Sequence, residues 1–167
     1  MKAKLIVNGK EIEVEIPEDV AEQLTAPVKK TGYERVEEDE AYLFVDVNGE
    51  LYEYDENHSV VDNNLFEIGN YYSDYTVATN NARADKLMRQ LRRFAVEHRE
   101  KRPNWNCRPT PKWSISFEND GLGLRVESVF LQQFGGIYFE TVDEAKAAAN
   151  EFRDELMWYF TEYKDSL

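Results

Sequence analysis

The chain has 167 residues and a mass of 19.6 kDa, with 33 acidic against 20 basic side chains and a net charge of -13. With 42% hydrophobic and 13% aromatic residues it holds enough apolar surface for a core, which excludes wholesale disorder. No apolar run nears the ~20 residues that span a bilayer, no signal-like apolar segment opens the chain, and one Cys builds no disulfide framework, so a reducing cytoplasm is the expected setting.

In KLIVNGKEIEVEI the apolar residues Leu5 and Val7, then Ile12, Val14 and Ile16, flank Asn8-Gly9. Asn-Gly tolerates the positive φ of a tight turn, so the spacing predicts a β-hairpin. Pro17, Glu18 and Asp19 suit the first turn of a short helix carrying Val20 and Leu24. Residues 25–31 read as a linker, which makes 1–30 a hairpin-helix arm and 31–167 the main domain.

The main domain is expected to begin with strands. The run Ala41 to Val45 and the return Leu51 to Tyr54 flank Asn48-Gly49, a second hairpin turn, and the polar stretch Asp55 to Asn64 reads as a loop. A helix is predicted over about 74–101, with Val77, Ala84, Leu87, Met88, Leu91, Phe94 and Ala95 on one face. After a loop with three prolines, strands are expected at Trp113–Phe117, Leu124–Phe130 and Ile137–Phe139, with Asn119-Asp120-Gly121 as a turn. Thr141-Val142-Asp143-Glu144 is a capping-box sequence that opens a second long helix, about 142–163. The sum is an α+β fold of small antiparallel sheets packed with two long helices. No internal repeat is legible.

Charge is distributed unevenly. Residues 11–75 carry 19 acids and 3 bases, whereas residues 76–113 carry 3 acids and 10 bases. The acidic part is densest at Glu37-Glu38-Asp39-Glu40, with Glu34 just before it. Such a surface is steered towards basic grooves built for phosphates, although solubility alone also favours it. On the predicted helix Lys86, Arg89 and Arg93 lie opposite the apolar face with Arg92 to one side, and Arg99 follows. That stripe suits phosphates or an acidic protein surface, or is a solvated face offset by the chain's own acidic strands. Tyr71 and Tyr72 beside Gly69, and Trp105 in the proline-containing loop, are candidate exposed anchors of an interface.

Catalytic signatures are weak. Asp46 to Glu50 fails the EF-hand spacing, and Asp55, Glu56, His58 and Asp62 form a polar-loop cluster with little to mark it as a hard-cation site. His98 suits a helix end better than a general base, and Cys107 has no His beside it in sequence. No phosphate-binding glycine loop, GxSxG, CxxC or HExxH occurs. No enzyme, cofactor or metal is expected.

The phrases KAKLIVNGKEIEVEIPED, TGYERVEEDEAYLFVD, NNLFEIGNYYSD and FGGIYFETVDEAKAAANEFRDEL resemble small acidic proteins encoded by phages and prophages of Gram-positive bacteria, over residues 2–163. The likeness includes the Trp105-Asn106 pair after the basic helix. It implies an accessory role in the host cytoplasm, such as a non-enzymatic, anti-CRISPR-type inhibitor of a host CRISPR nuclease or another nucleic-acid-binding protein. The alternative is a phage nucleic-acid-binding protein that takes guide RNA or DNA through helix residues 83–102. An otherwise unassigned structural or interaction protein is the third reading.

Overall fold

The computed structural model describes residues 2–7, 10–17, 20, 30–101, 103–106, 110–118 and 123–163. It forms two compact units, 1–31 and 32–167. In the first, β1 (Lys2–Val7) pairs antiparallel with β2 (Lys10–Glu15), Leu5 opposite Ile12. The expected Asn8-Gly9 turn and all of the expected short helix except Pro17 and Val20 lie outside the described residues.

The second unit contains β3 (Ala41–Val45), β4 (Leu51–Asp55), α1 (Val60–Glu67), α2 (Tyr75–Glu97), β5 (Lys112–Glu118), β6 (Gly123–Val129), α3 (Val142–Glu151) and α4 (Arg153–Trp158), and closes on a π-helical turn, Tyr159–Tyr163. Strands β3 and β4 form one antiparallel hairpin, β5 and β6 another. With 39% of the chain helical and 24% in strands, the fold is α+β. The apolar stripe of α2 lies where its periodicity places it. Leu87, Leu91 and Phe94 are buried with Phe139, Ala145, Ala148 and Leu156, and Phe152 packs against them.

Three local expectations need correction. The stretch read as a loop around Val60-Val61 is α1, begun by a capping box in which Ser59 and Asp62 satisfy each other's backbone amides. The second long helix breaks at Phe152 (φ −102°, ψ 23°), whose ring sits edge-on to Phe94 at 5.8 Å, a tertiary contact that i, i+4 periodicity does not encode. The first stops at Glu97, because His98 stacks on Phe94 at 3.8 Å and caps the helix.

The second unit also contains a repeat that residue identities conceal. Leu43 of β3 exchanges two backbone hydrogen bonds with Tyr72, both 2.8 Å, and Tyr72 precedes by two residues Asp74, the N-cap of α2. Trp113 of β5 exchanges two with Phe139, 3.0 and 2.8 Å, and Phe139 precedes by two residues Thr141, the N-cap of α3. The strand expected at 137–139 is therefore a single bridge. In this alignment Gly69 meets Gly136, Tyr71 meets Tyr138, and the fully buried Ala78 meets the fully buried Ala145. The same hairpin, bridge and capped helix occur twice.

A candidate protein-interaction surface

The segment between Gly32 and Asp74 holds thirteen acidic side chains and one base, Arg35. Its centre is a buried polar network. Glu56 is 0% exposed, and its carboxylate accepts two hydrogen bonds from Arg35 (2.8 and 2.9 Å), one from the Tyr71 hydroxyl (2.9 Å) and one from the His58 amide (2.7 Å). Arg35 also donates to Asn63 Oδ1 at 2.8 Å. Beside it, buried Asp62 accepts from the Tyr42 hydroxyl (2.8 Å) and from the amides of Ser59 (2.8 Å) and Asn57 (3.2 Å). The Tyr42 and Tyr71 rings stack at 4.0 Å, so the two carboxylates share one aromatic support.

Electrostatics follow from these contacts. The Arg35 hydrogen bonds, against an opposing cost of burial, hold Glu56 down to a pKa of about 2. Burial pushes Asp62 up, but the donors from Tyr42, Ser59 and Asn57 together outweigh it and bring it to about 2. Burial, then the bond to Glu56, raises Tyr71 to about 12. Both carboxylates are therefore ionised and saturated with donors from their own chain. Among the described residues no group of three or more His, Cys, Asp or Glu is arranged to hold a metal ion.

This network fixes the acidic turn. The Asp39 amide donates to Glu56 O (2.8 Å), and the Glu56 amide to Glu40 O (2.9 Å). Asp39 takes a left-handed φ of 67°, and the Glu40 carboxylate accepts from the Glu37 amide at 3.1 Å. Glu37, Glu38 and Asp39 are left exposed on a stapled turn, whereas Glu40 spends an oxygen on it. Glu34 is half-buried and ties the segment to the start of α2, accepting from the Gly32 amide (2.9 Å) and the Ser73 hydroxyl (3.2 Å). Gly32 has φ +86° and passes so close to α2 that a Cβ would lie 2.7 Å from Val77 Cγ2.

The aromatic anchors are partly misassigned by sequence. Tyr71 and Tyr72 are 1% and 5% exposed: Tyr71 stacks on Tyr42 and serves Glu56, and Tyr72 makes the bridge to β3, so neither is a surface anchor. Trp105 is half-buried, edge-on to Tyr138 at 4.7 Å and beneath the Lys112 ammonium at 5.4 Å. Exposed rings within the acidic segment include two on the β3–β4 hairpin, where Tyr52 and Tyr54 flank Phe44 at 6.0 and 4.8 Å. The signal was available, since alternation about Asn48-Gly49 puts Phe44 opposite Tyr52 on one face.

On α2, Lys86, Arg89, Arg92 and Arg93 are exposed and Arg99, beyond the helix, is half-buried. Arg93 reaches Glu97 at 3.8 Å. Arg83 is committed to Glu155 (2.7 Å) and lies 4.0 Å over Trp158. Cys107 lies outside the described residues. No helix among the described residues is long and apolar enough to cross a membrane. In comparison with known proteins the chain matches no family model, no curated protein and no solved structure.

Proposed function

We propose that the chain is a non-enzymatic inhibitor of the anti-CRISPR type, which binds a basic, nucleic-acid-handling nuclease through the acidic surface of residues 32–74. One observation carries this reading: the only cation of that segment, Arg35, is spent on buried Glu56, so the exposed carboxylates have no counter-ion within the segment. Glu37, Glu38 and Asp39 stand on a turn whose backbone is stapled to Glu56, and they present negative charge to a phosphate-binding groove. Long-range attraction steers them there, and little backbone ordering remains to be done on contact. The saturated state of Glu56 and Asp62 supports binding rather than acid–base chemistry at this network.

The test is a cleavage assay with a guide-loaded CRISPR nuclease. Adding the chain should lower the cleaved fraction to a stoichiometric end-point without altering the substrate DNA, and undiminished cleavage at excess protein counts against the reading.

A second reading, nucleic-acid binding through α2, is favoured by the exposed row Lys86, Arg89 and Arg92 on one helix. Its signature is a salt-steep affinity for DNA or RNA by the isolated chain.

A further inference from the structure

The β3–β4 hairpin carries an aromatic strip on one face. Tyr42 pairs with Tyr54 and Phe44 with Tyr52, so all four side chains leave the sheet on the same side. Tyr42 is sealed beneath the polar network, but Tyr52 and Tyr54 remain 45% and 49% exposed around the half-buried Phe44. Carboxylates bound the strip at both ends. At the hairpin tip Asp46 accepts from the Asn48 and Glu50 amides (2.8 and 2.9 Å), which holds the turn and leaves the Glu50 side chain exposed beside Tyr52 in the alternation. At the other end is the turn of Glu37 and Glu38, fixed through Glu40 and Glu56.

Flat, electron-rich rings between carboxylates are poor partners for phosphate and ordinary partners for a planar cation. A guanidinium stacks on a Tyr face while its N–H groups reach a carboxylate; an ammonium, more strongly hydrated and not planar, does this less well. The molecule already uses the pairing internally, with Arg35 5.5 Å over Phe66 while bonded to Glu56, and Arg83 over Trp158 while bonded to Glu155.

We infer that the exposed strip Phe44–Tyr52–Tyr54 is an arginine-reading surface, which seats guanidinium groups of a basic protein segment on its rings between the carboxylates of Glu50 and of Glu37 and Glu38. The inference rests on the acidic binding surface proposed above and deepens it: the partner is distinguished by arginine, and positive charge alone does not suffice.

The experiment compares two probes, a ten-residue peptide of alternating Arg and Gly and the same peptide with Lys for Arg, by calorimetry or anisotropy at moderate salt. The Arg peptide should bind the wild type about five- to tenfold more tightly. Tyr52→Leu with Tyr54→Leu should abolish that preference while leaving Lys-peptide affinity within about twofold, and Tyr52→Phe with Tyr54→Phe should keep it. If the double Leu variant does not fold, Tyr52→Leu alone should halve the preference or more. Equal affinity of the wild type for both peptides, or an undiminished preference in a folded Leu variant, overturns the inference. Loss of nuclease inhibition with the arginine preference intact overturns only the proposed function, and the reverse result only this inference.

Discussion

Arg35 closes a two-pronged ion pair on Glu56, and with it the only cation between Gly32 and Asp74 is committed to a buried carboxylate. The pair thus does two things. It offsets the buried charge of Glu56, while Asp62 beside it rests on neutral donors, and it leaves the exposed carboxylates of the segment without a cation of their own.

The first prediction concerns acid. Glu56 and Asp62 have folded-state values of about 2, below their unfolded range, so between about pH 4.5 and 2 the unfolded chain binds more protons than the folded one. Their contribution is fully present above about pH 4.5 and is lost as pH falls through 2. Urea midpoints should decline over that window. The decline should be shallower in a Glu56→Gln, Asp62→Asn variant, and an identical slope in that variant contradicts the assignment.

Tyr42→Phe removes the hydroxyl that donates to buried Asp62 at 2.8 Å. A buried carboxylate short of one donor should cost about 1–3 kcal/mol in urea unfolding. A loss under about 0.5 kcal/mol would mean that water or a neighbour replaces the hydroxyl.

Much of the fold was legible because hairpins and amphipathic helices leave periodic traces. Asn48-Gly49 set the β3–β4 turn, and Leu87, Leu91 and Phe94 set the buried face of α2. The repeat was not legible, because it resides in backbone bridges at Tyr72 and Phe139 and in cap positions, which Asp74 and Thr141 fill with different residues. Helix α1 was hidden by its polarity, with Asp62 capping a segment whose Val60 and Val61 are exposed. For the candidate site, the acidity of Glu37 to Glu40 was plain. That Tyr71 lies inside and Tyr54 outside depends on which side of β3 the chain returns to, a tertiary choice that local sequence does not state.

The repeat makes its own prediction. Ala78 and Ala145 are both 0% exposed at equivalent places in α2 and α3. Ala78→Leu and Ala145→Leu should each overpack a closed contact and cost about 1–3 kcal/mol. Scanning both sites by thermal unfolding checks this, and tolerance at either one contradicts the equivalence.

The basic stripe separates the two functional readings. At physiological salt the isolated chain, with a net charge of -13, should show little affinity for DNA or RNA. A tight complex that weakens steeply with salt and is lost in Arg89→Ala, Arg93→Ala would move the function to α2.

The central claim is that exposed carboxylates of 32–74 drive binding to a basic nuclease. It is tested most directly by the cleavage assay run with wild type and with Glu37→Lys, Glu38→Lys, Glu53→Lys at low and high salt. These three are exposed, and reversing them spares Glu40, whose carboxylate holds the turn. Wild type should protect the substrate at low salt and the triple reversal should protect it at least tenfold less well, with the gap narrowing as salt screens the field. Equal protection by both proteins at low salt would contradict the account and place the contact on another face.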